Sequence, residues 1–551
     1  MDKKENAPLN GAGLFSYNLV DEKWIALLKK NGLSEKEGLR NVFLRPGDYV
    51  DVYGEARLQD AAILRMLIAI SVTLLYRYDE NGNQSPPGDC GEALRRFKKV
   101  WDNGGYSRKA VNDYFDRWHD RFDLFDPERP FYQIPLNGLR WTEEKKKQNM
   151  PPRGIKPVLG SGVMMNWLPM AAIDPRVLRT ANRPLAPFKD ISEESANSAP
   201  VDEAARMMLF YNAFADCTVG KAQYYIRDGK RTTANAGMTF PSRGALVTPV
   251  GNDLFETLML GSVLFSPERH EMFDPPRPSW EDGPGTDLPV SMTVPNDLAR
   301  MYTQQARRMS LYRDGSAVKG IFASAGETYS GDLLWMEPAF MTQEIKSKKD
   351  GQTIVAARHR RSGVDIWQEI EYIAGGHGSG IVKWVNVLQA NGVFGPERVI
   401  PFRVTDIAYG TSNCGYQDMT VDRVLINSRL LSDTVTCEKA IDEISVIKKV
   451  AAALSSYAEK CAACMRRPAA REKQDLISTY FSEVGKAFLK YLDGSLTYDQ
   501  MHVESTAAAK RTVDGYEKLN GNFLIGSAWN GVTHGAAYNK VMADIYKIER
   551  G

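Results

Sequence analysis

The C-terminal end of the chain constrains the fold most. From residue 433 onward Ile441, Ile444, Ile447, Ala451, Leu454 and Ala458 recur at the spacing of one helix face, and Leu476, Ile477, Tyr480, Phe481, Val484, Phe488 and Leu492 repeat the pattern. Residues 499–519 and 533–549 read as two further helices, separated by a glycine-rich turn at 521–531. Four helices with short connections pack most simply as an antiparallel bundle, which makes their aromatic stripes core rather than cofactor contacts. Ahead of the bundle no single period holds, and at 551 residues the chain is too long for one core. The fold class is therefore α+β: a large mixed α/β N-terminal domain over 14–432, then a C-terminal four-helix bundle over 433–551. Residues 1–13 read as a disordered leader.

The N-terminal domain opens with Leu14 to Ile25, whose alternation suggests a first strand. The most apolar run, 61–76, is shorter than a bilayer span and carries Arg65, so it reads as a buried helix over 58–77. A break at 79–90 leads to a helical stretch with Trp101, Tyr114, Phe115 and Trp118. The prolines of Phe125-Asp126-Pro127-Glu128-Arg129-Pro130-Phe131 predict an extended segment between aromatic anchors. From 151 to 200 the pattern fades into a long surface loop, and loops of that length inside a globular protein are usually functional or disordered. Helices follow near 201–215 and 253–265, then a proline-rich connection over 268–289. Short strands and turns occupy 298–372, ending in the charged cluster Arg358-His359-Arg360-Arg361, which reads as a solvated face.

Two stretches point towards nucleic acid. The first is Tyr409-Gly410-Thr411-Ser412-Asn413-Cys414-Gly415-Tyr416-Gln417, a turn between apolar runs at 399–407 and 421–426. Its short, uncharged amide and hydroxyl groups suit entry into a narrow groove, although an ordinary hairpin has the same composition. The second is basic with interleaved aromatics: Lys221, Tyr224, Tyr225, Arg227, Lys230, Arg231 and Arg243, with glycines at 229, 237, 244 and 251 that let backbone amides approach an anionic chain. Net charge is only +2, from 70 basic and 68 acidic residues, so nucleic-acid contact has to come from local patches or a partner's groove.

Catalytic signatures are missing from the sequence. The six histidines lie without metal-ligand spacing, no G-x-S-x-G elbow occurs, and Glu143-Glu144 and Glu193-Glu194 are adjacent in polar runs. Gly375-Gly376-His377-Gly378-Ser379-Gly380 lacks the Lys-Ser/Thr of a phosphate loop and reads as the start of a helix. Of six cysteines only Cys461 and Cys464 are close, in a helical stretch with no second pair, and two reduced thiols are the simpler reading. No metal and no cofactor are expected. The polar start carries no secretory signal, and the expected location is cytoplasmic, away from membranes.

The order of features resembles a known family. Phe15-Ser16-Tyr17-Asn18-Leu19-Val20-Asp21-Glu22-Lys23-Trp24-Ile25 and Asp126-Pro127-Glu128-Arg129-Pro130-Phe131-Tyr132-Gln133 come first. A glycine-rich basic middle leads to Leu254-Phe255-Glu256-Thr257-Leu258, Trp335-Met336-Glu337-Pro338 and Ala408-Tyr409-Gly410-Thr411-Ser412-Asn413, and a helical bundle closes the chain. Over about residues 14–550 this resembles the CasA family, the large subunit of the type I-E CRISPR Cascade surveillance complex.

The resemblance implies a non-enzymatic DNA-recognition subunit. Its partners would be CRISPR guide RNA, target double-stranded DNA, the other Cascade subunits and the CRISPR helicase-nuclease. It would detect a short protospacer-adjacent motif (PAM) from the minor groove and wedge the strands apart, leaving the remaining sequence to guide pairing. By position the wedge falls on Thr411, Ser412, Asn413, Cys414 and Gly415, with Asn413 contacting a base edge. The glycine loop along the duplex falls on Ala234, Asn235, Ala236 and Gly237, beside Lys230 and Arg231. The first loop, near the guide's 5′ handle, begins at Phe188 and Lys189 and runs to Ala199. The family's minor-groove lysine falls where this chain reads Ala323-Ser324-Ala325-Gly326, and Lys319 is the nearest cation. The family's turn often holds a glutamine; here the nearest is Gln417. A degenerate minor-groove code read by few short polar groups predicts a permissive PAM. Two other readings are an RNA-binding structural subunit of another ribonucleoprotein, clamping through 221–243, and a nucleotide-binding enzyme using the glycines at 375–380.

Overall fold

The computed structural model describes residues 15–135, 165–176, 178–180, 183–185, 198–215, 223–227, 230–234, 238–282, 290–330, 337–346, 351–410, 416–526 and 531–549. The chain is α+β, with mixed helices and sheets in its N-terminal part and four consecutive helices at its C-terminal end. It divides into two compact units that are discontinuous in sequence. The first holds 1–360, 379–393 and 403–422; the second holds 361–378, 394–402 and 423–551.

The first unit is built around the helix Arg57–Arg77, which is buried almost all round. It is long and apolar enough to span a membrane, so length does not set it apart; its burial inside the unit does. Helices Val201–Phe214, Leu254–Gly261 and Leu298–Tyr302 pack on it. Gly261 permits one of these approaches, because a Cβ there would lie 2.6 Å from Ile68 Cδ1. Arg65 sits in the middle of this helix, donates to Glu337 at 2.7 Å and lies 3.9 Å from the Tyr302 ring centre. Both partners of the ion pair are buried, so each depends on the other for solvation.

Among the described residues three sheets have three or more strands. Ser34–Glu37, Ile25–Lys29 and Tyr49–Val52 form an antiparallel sheet in that order. Arg307–Asp314, Ala317–Ala325 and Asn166–Pro169 form a second, to which Ala199–Pro200 adds a short fourth strand beside Ala317–Val318. Leu246–Pro249, Val399–Tyr409 and Tyr416–Asn427 form the third. The helix Val201–Phe214 is fixed by Arg206, whose guanidinium donates to Glu55, to the Trp24 carbonyl and, at 3.0 Å, to Asp202.

In the second unit the helices are Thr434–Met465, Ala469–Leu492, Tyr498–Gly526 and Gly531–Glu549. Asp433 caps the first by accepting from the amides of Val435 and Thr436. That helix ends at Arg466 in the left-handed region (φ 55°), and Arg467 N donates to Ala462 O at 2.9 Å, with Pro468 blocking continuation. Trp367 packs on Phe488, ring centres 5.2 Å apart, and a Cβ at Gly485 would meet its Nε1 at 2.9 Å.

The expected leader, residues 1–13, lies outside the described residues. Several other expectations need correction. The opening strand begins only at Ile25, because the Asn18 side chain accepts from Val20 N and its carbonyl from Asp21 and Glu22, bending the chain into a turn. Residues 125–133 are turns rather than extended: Asp126 accepts from the amides of Glu128 and Arg129, and Tyr132 has φ 57°. Within 151–200, Asn166–Pro169 is a sheet strand following the buried Met165. The helix at 253–265 stops at Gly261 and gives way to a short strand at Phe265. The third bundle helix continues through the glycines at 521–526.

Because each member of the Arg65–Glu337 pair would be stranded without the other, Glu337→Ala should destabilise the protein by about 3–5 kcal/mol in denaturant unfolding. Adding Arg65→Met should recover most of that loss, whereas a surface pair would show neither effect.

Candidate nucleic-acid interface

A helix leaves its last carbonyls without intrahelical partners. At the end of Val201–Phe214 those carbonyls are met by side chains from two distant segments. Tyr409 and Tyr416, the last residue of one strand and the first of the next, both donate their hydroxyls to Phe214 O, at 2.8 and 3.0 Å. Their rings lie 5.6 Å apart, and Phe210 packs 6.4 Å from Tyr416. Thr239 donates to Ala213 O; its hydroxyl also meets Ser242 Oγ at 2.6 Å, and Ser242 Oγ meets the Tyr409 hydroxyl at 2.7 Å. Thr239 and Ser242 are buried, so this chain of hydroxyls replaces water at the helix end.

The consequence is positional. The chain leaves for residues 411–415 and returns at one point, and it returns from the 216–237 stretch at that same point. Thr411, Ser412, Asn413, Cys414 and Gly415 lie outside the described residues, as do Asn235, Ala236, Gly237, Phe188 and Lys189. Their described flanks are what the structure joins. Between the flanks at 215 and 238, Gln223–Arg227 and Lys230–Ala234 pair as an antiparallel ribbon, with Arg227 opposite Lys230, Ile226 opposite Arg231 and Gln223 opposite Ala234. The basic stretch is thus partly ribbon rather than only loop. A helix C-terminus carries partial negative charge and repels phosphate. Cations for an anionic chain at this end must come from such neighbouring residues.

The other end of the same helix lies beside Lys319. Ala199, where the first loop ends, pairs with Val318, and the helix starts two residues later at Val201. Lys319 follows Val318 as the extra residue of a β-bulge: Val318 pairs with Arg313 and Gly320 with Tyr312, leaving no partner for position 319. Gly320 has no room for a side chain, since a Cβ would sit 2.4 Å from Leu168 O. The two clusters are therefore separated by one 14-residue helix, about 20 Å at 1.5 Å per residue.

A family model for CRISPR-associated protein Cse1 matches residues 18–516. The chain belongs to the Cse1 family. Over 315 residues it is 28% identical to CRISPR-associated protein CasA/Cse1 of Thermus thermophilus, an alignment covering 56% of this chain and 51% of that relative. The chain thus spans about half the length of that curated relative. Thermobifida fusca Cse1 has a similar fold, with TM-score 0.79 at 18% identity over 97% of this chain and 98% of the other. A chain from a CRISPR RNA-guided surveillance complex is also similar, with TM-score 0.59 at 16% identity over 96% of this chain and 99% of that one.

In this Cse1-family chain several cations are scaffolding. Arg243 is half-buried, donates to Tyr329 O at 3.0 Å and lies 5.9 Å from the Phe240 ring centre, and burial lowers its pKa. The charged cluster at 358–361 is not simply a solvated face. His359 Nδ1 is 2.8 Å from Asp406, Arg360 N donates to Asp406 at 2.7 Å, and the Arg360 guanidinium is 3.2 Å from Asp422. Those carboxylates lie on the two strands that carry the tyrosines, so the cluster braces them. Ala323, Ser324 and Ala325 are buried and a Cβ on Gly326 would lie 2.3 Å from Gln305 O, so a lysine does not fit there. The glycines at 375 and 378 serve close packing, since Cβ atoms would meet Glu371 O at 2.4 Å and Ile373 O at 2.5 Å, and the following helix is Gly380–Ala390. Cys461 and Cys464 are free and buried, and burial pushes the Cys461 thiol up to about 12.

Sequence reasoning did not single out Tyr409 and Tyr416 as anchors. Since Phe214 O can accept two hydrogen bonds, one hydroxyl suffices to avoid an orphaned carbonyl. Tyr409→Phe with Tyr416→Phe should cost about 2 kcal/mol, and each single change less than half as much. Hydrogen exchange of amides at 403–409 and 416–422 should speed up in the double variant alone; equal effects in a single variant would contradict shared anchoring.

Proposed function

We propose that this chain is the PAM-recognising large subunit of an RNA-guided type I-E CRISPR Cascade complex. It works with guide RNA and the other subunits in the cytoplasm, and it carries no catalytic role of its own. Membership of the Cse1 family supports this, as does likeness to a chain of an RNA-guided surveillance complex. The observation that carries the reading is the anchoring at the adjacent carbonyls of Ala213 and Phe214, which holds the flanks of the 411–415 and 216–237 stretches on one helix end.

In this reading Thr411 to Gly415 enter the minor groove, and Asn413 offers its amide to base-edge acceptors. Cys414 and Gly415 form the wedge that starts strand separation. Ala234 to Gly237 follow the duplex backbone, and Lys230 and Arg231 neutralise phosphates. Lys319 and Ala199, where the first loop ends, lie about 20 Å away along the helix. At about 3.4 Å per base pair that is about six pairs, short enough for one duplex to meet both ends. Opened DNA then pairs with the guide, and the subunit supports recruitment of the helicase-nuclease.

The test compares guide-loaded complexes on duplexes differing only in the PAM. Asn413→Ala with Gly415→Asp should lower PAM-dependent binding by about tenfold or more, while assembly and binding to pre-opened DNA persist. Unchanged PAM discrimination would show that the turn is not the reader.

A further inference from the structure

We propose that Cys461, Glu517 and His534 form a binding site for a zinc-class divalent metal, which staples three helices of the second unit together. The donors come from Thr434–Met465, Tyr498–Gly526 and Gly531–Glu549 respectively, and one ligand atom from each lies within 4.8 Å of the others. Tetrahedral zinc, with bonds of about 2.3 Å to sulfur and 2.0–2.1 Å to nitrogen or oxygen, needs donors about 3.5 Å apart, so small side-chain rotations close the site. His534 Nε2 and Glu517 Oε1 stand 2.8 Å apart in a hydrogen bond that an inserted ion would replace as the two donors part slightly. Thiolate, imidazole and carboxylate together favour a borderline-soft ion over magnesium or calcium.

The surroundings fit a held ion better than a simple polar pair. Tyr457, one turn before Cys461, donates its hydroxyl to the same Glu517 oxygen and so orients the carboxylate from outside the ligand set. Cys461 is fully buried, whereas the Glu517 and His534 side chains are 22% and 19% exposed, which leaves one open edge for metal entry and a fourth, water ligand. On binding, a metal–sulfur bond replaces the thiol S–H bond and the proton leaves to water. Cys464, three residues on, is outside the donor group. Of the C-x-x-C pair only the first sulfur faces the other two ligands.

Cobalt(II) provides the test, added to the untagged, metal-stripped full chain. One equivalent should produce a thiolate-to-cobalt charge-transfer band that zinc then abolishes. Cys464→Ser should keep the band and Cys461→Ser should lose it. Tyr457→Phe should keep it with about 10–100-fold weaker affinity. Should Cys461→Ser fail to fold by circular dichroism, His534→Gln decides, with an expected affinity loss of at least tenfold. No band in the wild-type chain, or a band of wild-type strength and affinity in folded Cys461→Ser or in His534→Gln, overturns the site.

Discussion

A helix that ends inside a protein must find donors for its last carbonyls, and that requirement organises the packing around the end of Val201–Phe214. Val201–Phe214 is held in the interior by Arg206, so its C-terminus cannot turn to water for partners. The donors instead come from Thr239, Tyr409 and Tyr416, each at the foot of a segment proposed to meet DNA. Two connections distant in sequence are brought to one place by one backbone need. Their relative position is then set by rigid structure, while the residues between the feet are free to vary in chemistry.

The distribution of arginine follows a similar economy. Arg65, Arg206 and Arg307 are fully or nearly fully buried, and Arg360 is paired with Asp422. These guanidiniums hold the scaffold and are withdrawn from phosphate. Arg65, Arg206 and Arg360 are paired with carboxylates, so setting those pairs aside still leaves a chain close to neutral. Any attraction of such a chain to an anionic ligand has to come from local patches rather than from its overall charge.

The sequence exposed local order well and long-range partnerships poorly. The buried helix at 57–77 and the bundle helices follow from apolar spacing, which depends only on neighbours a few residues apart. The strands flanking 411–415 were legible for the same reason. Asn18 defeated the opening strand because a side-chain turn leaves the apolar alternation intact. The Arg358–Arg361 cluster was misread because its carboxylates, Asp406 and Asp422, lie far along the chain. Tyr409 and Tyr416 looked like ordinary strand aromatics, since their acceptor is about 200 residues away. Donors at 461, 517 and 534 follow no motif spacing, and only the helix packing joins them.

Lys319 shows how strand packing decides where a cation can stand. At 323–326 the strand is buried and close-packed against Gln305 and Ala306, so a long cationic side chain there would have no room and would lose its hydration. One position short of Gly320 the ladder admits an extra residue, and a bulge residue is released from the alternation that would otherwise fix its direction. A cation is tolerated at 319 for that reason. The bulge also sits where Ala199 closes the first loop, so any shift of the bulge along the strand would move the loop's anchor with it. Position and charge are coupled at that end of the helix, as hydroxyl donors and strand ends are coupled at the other.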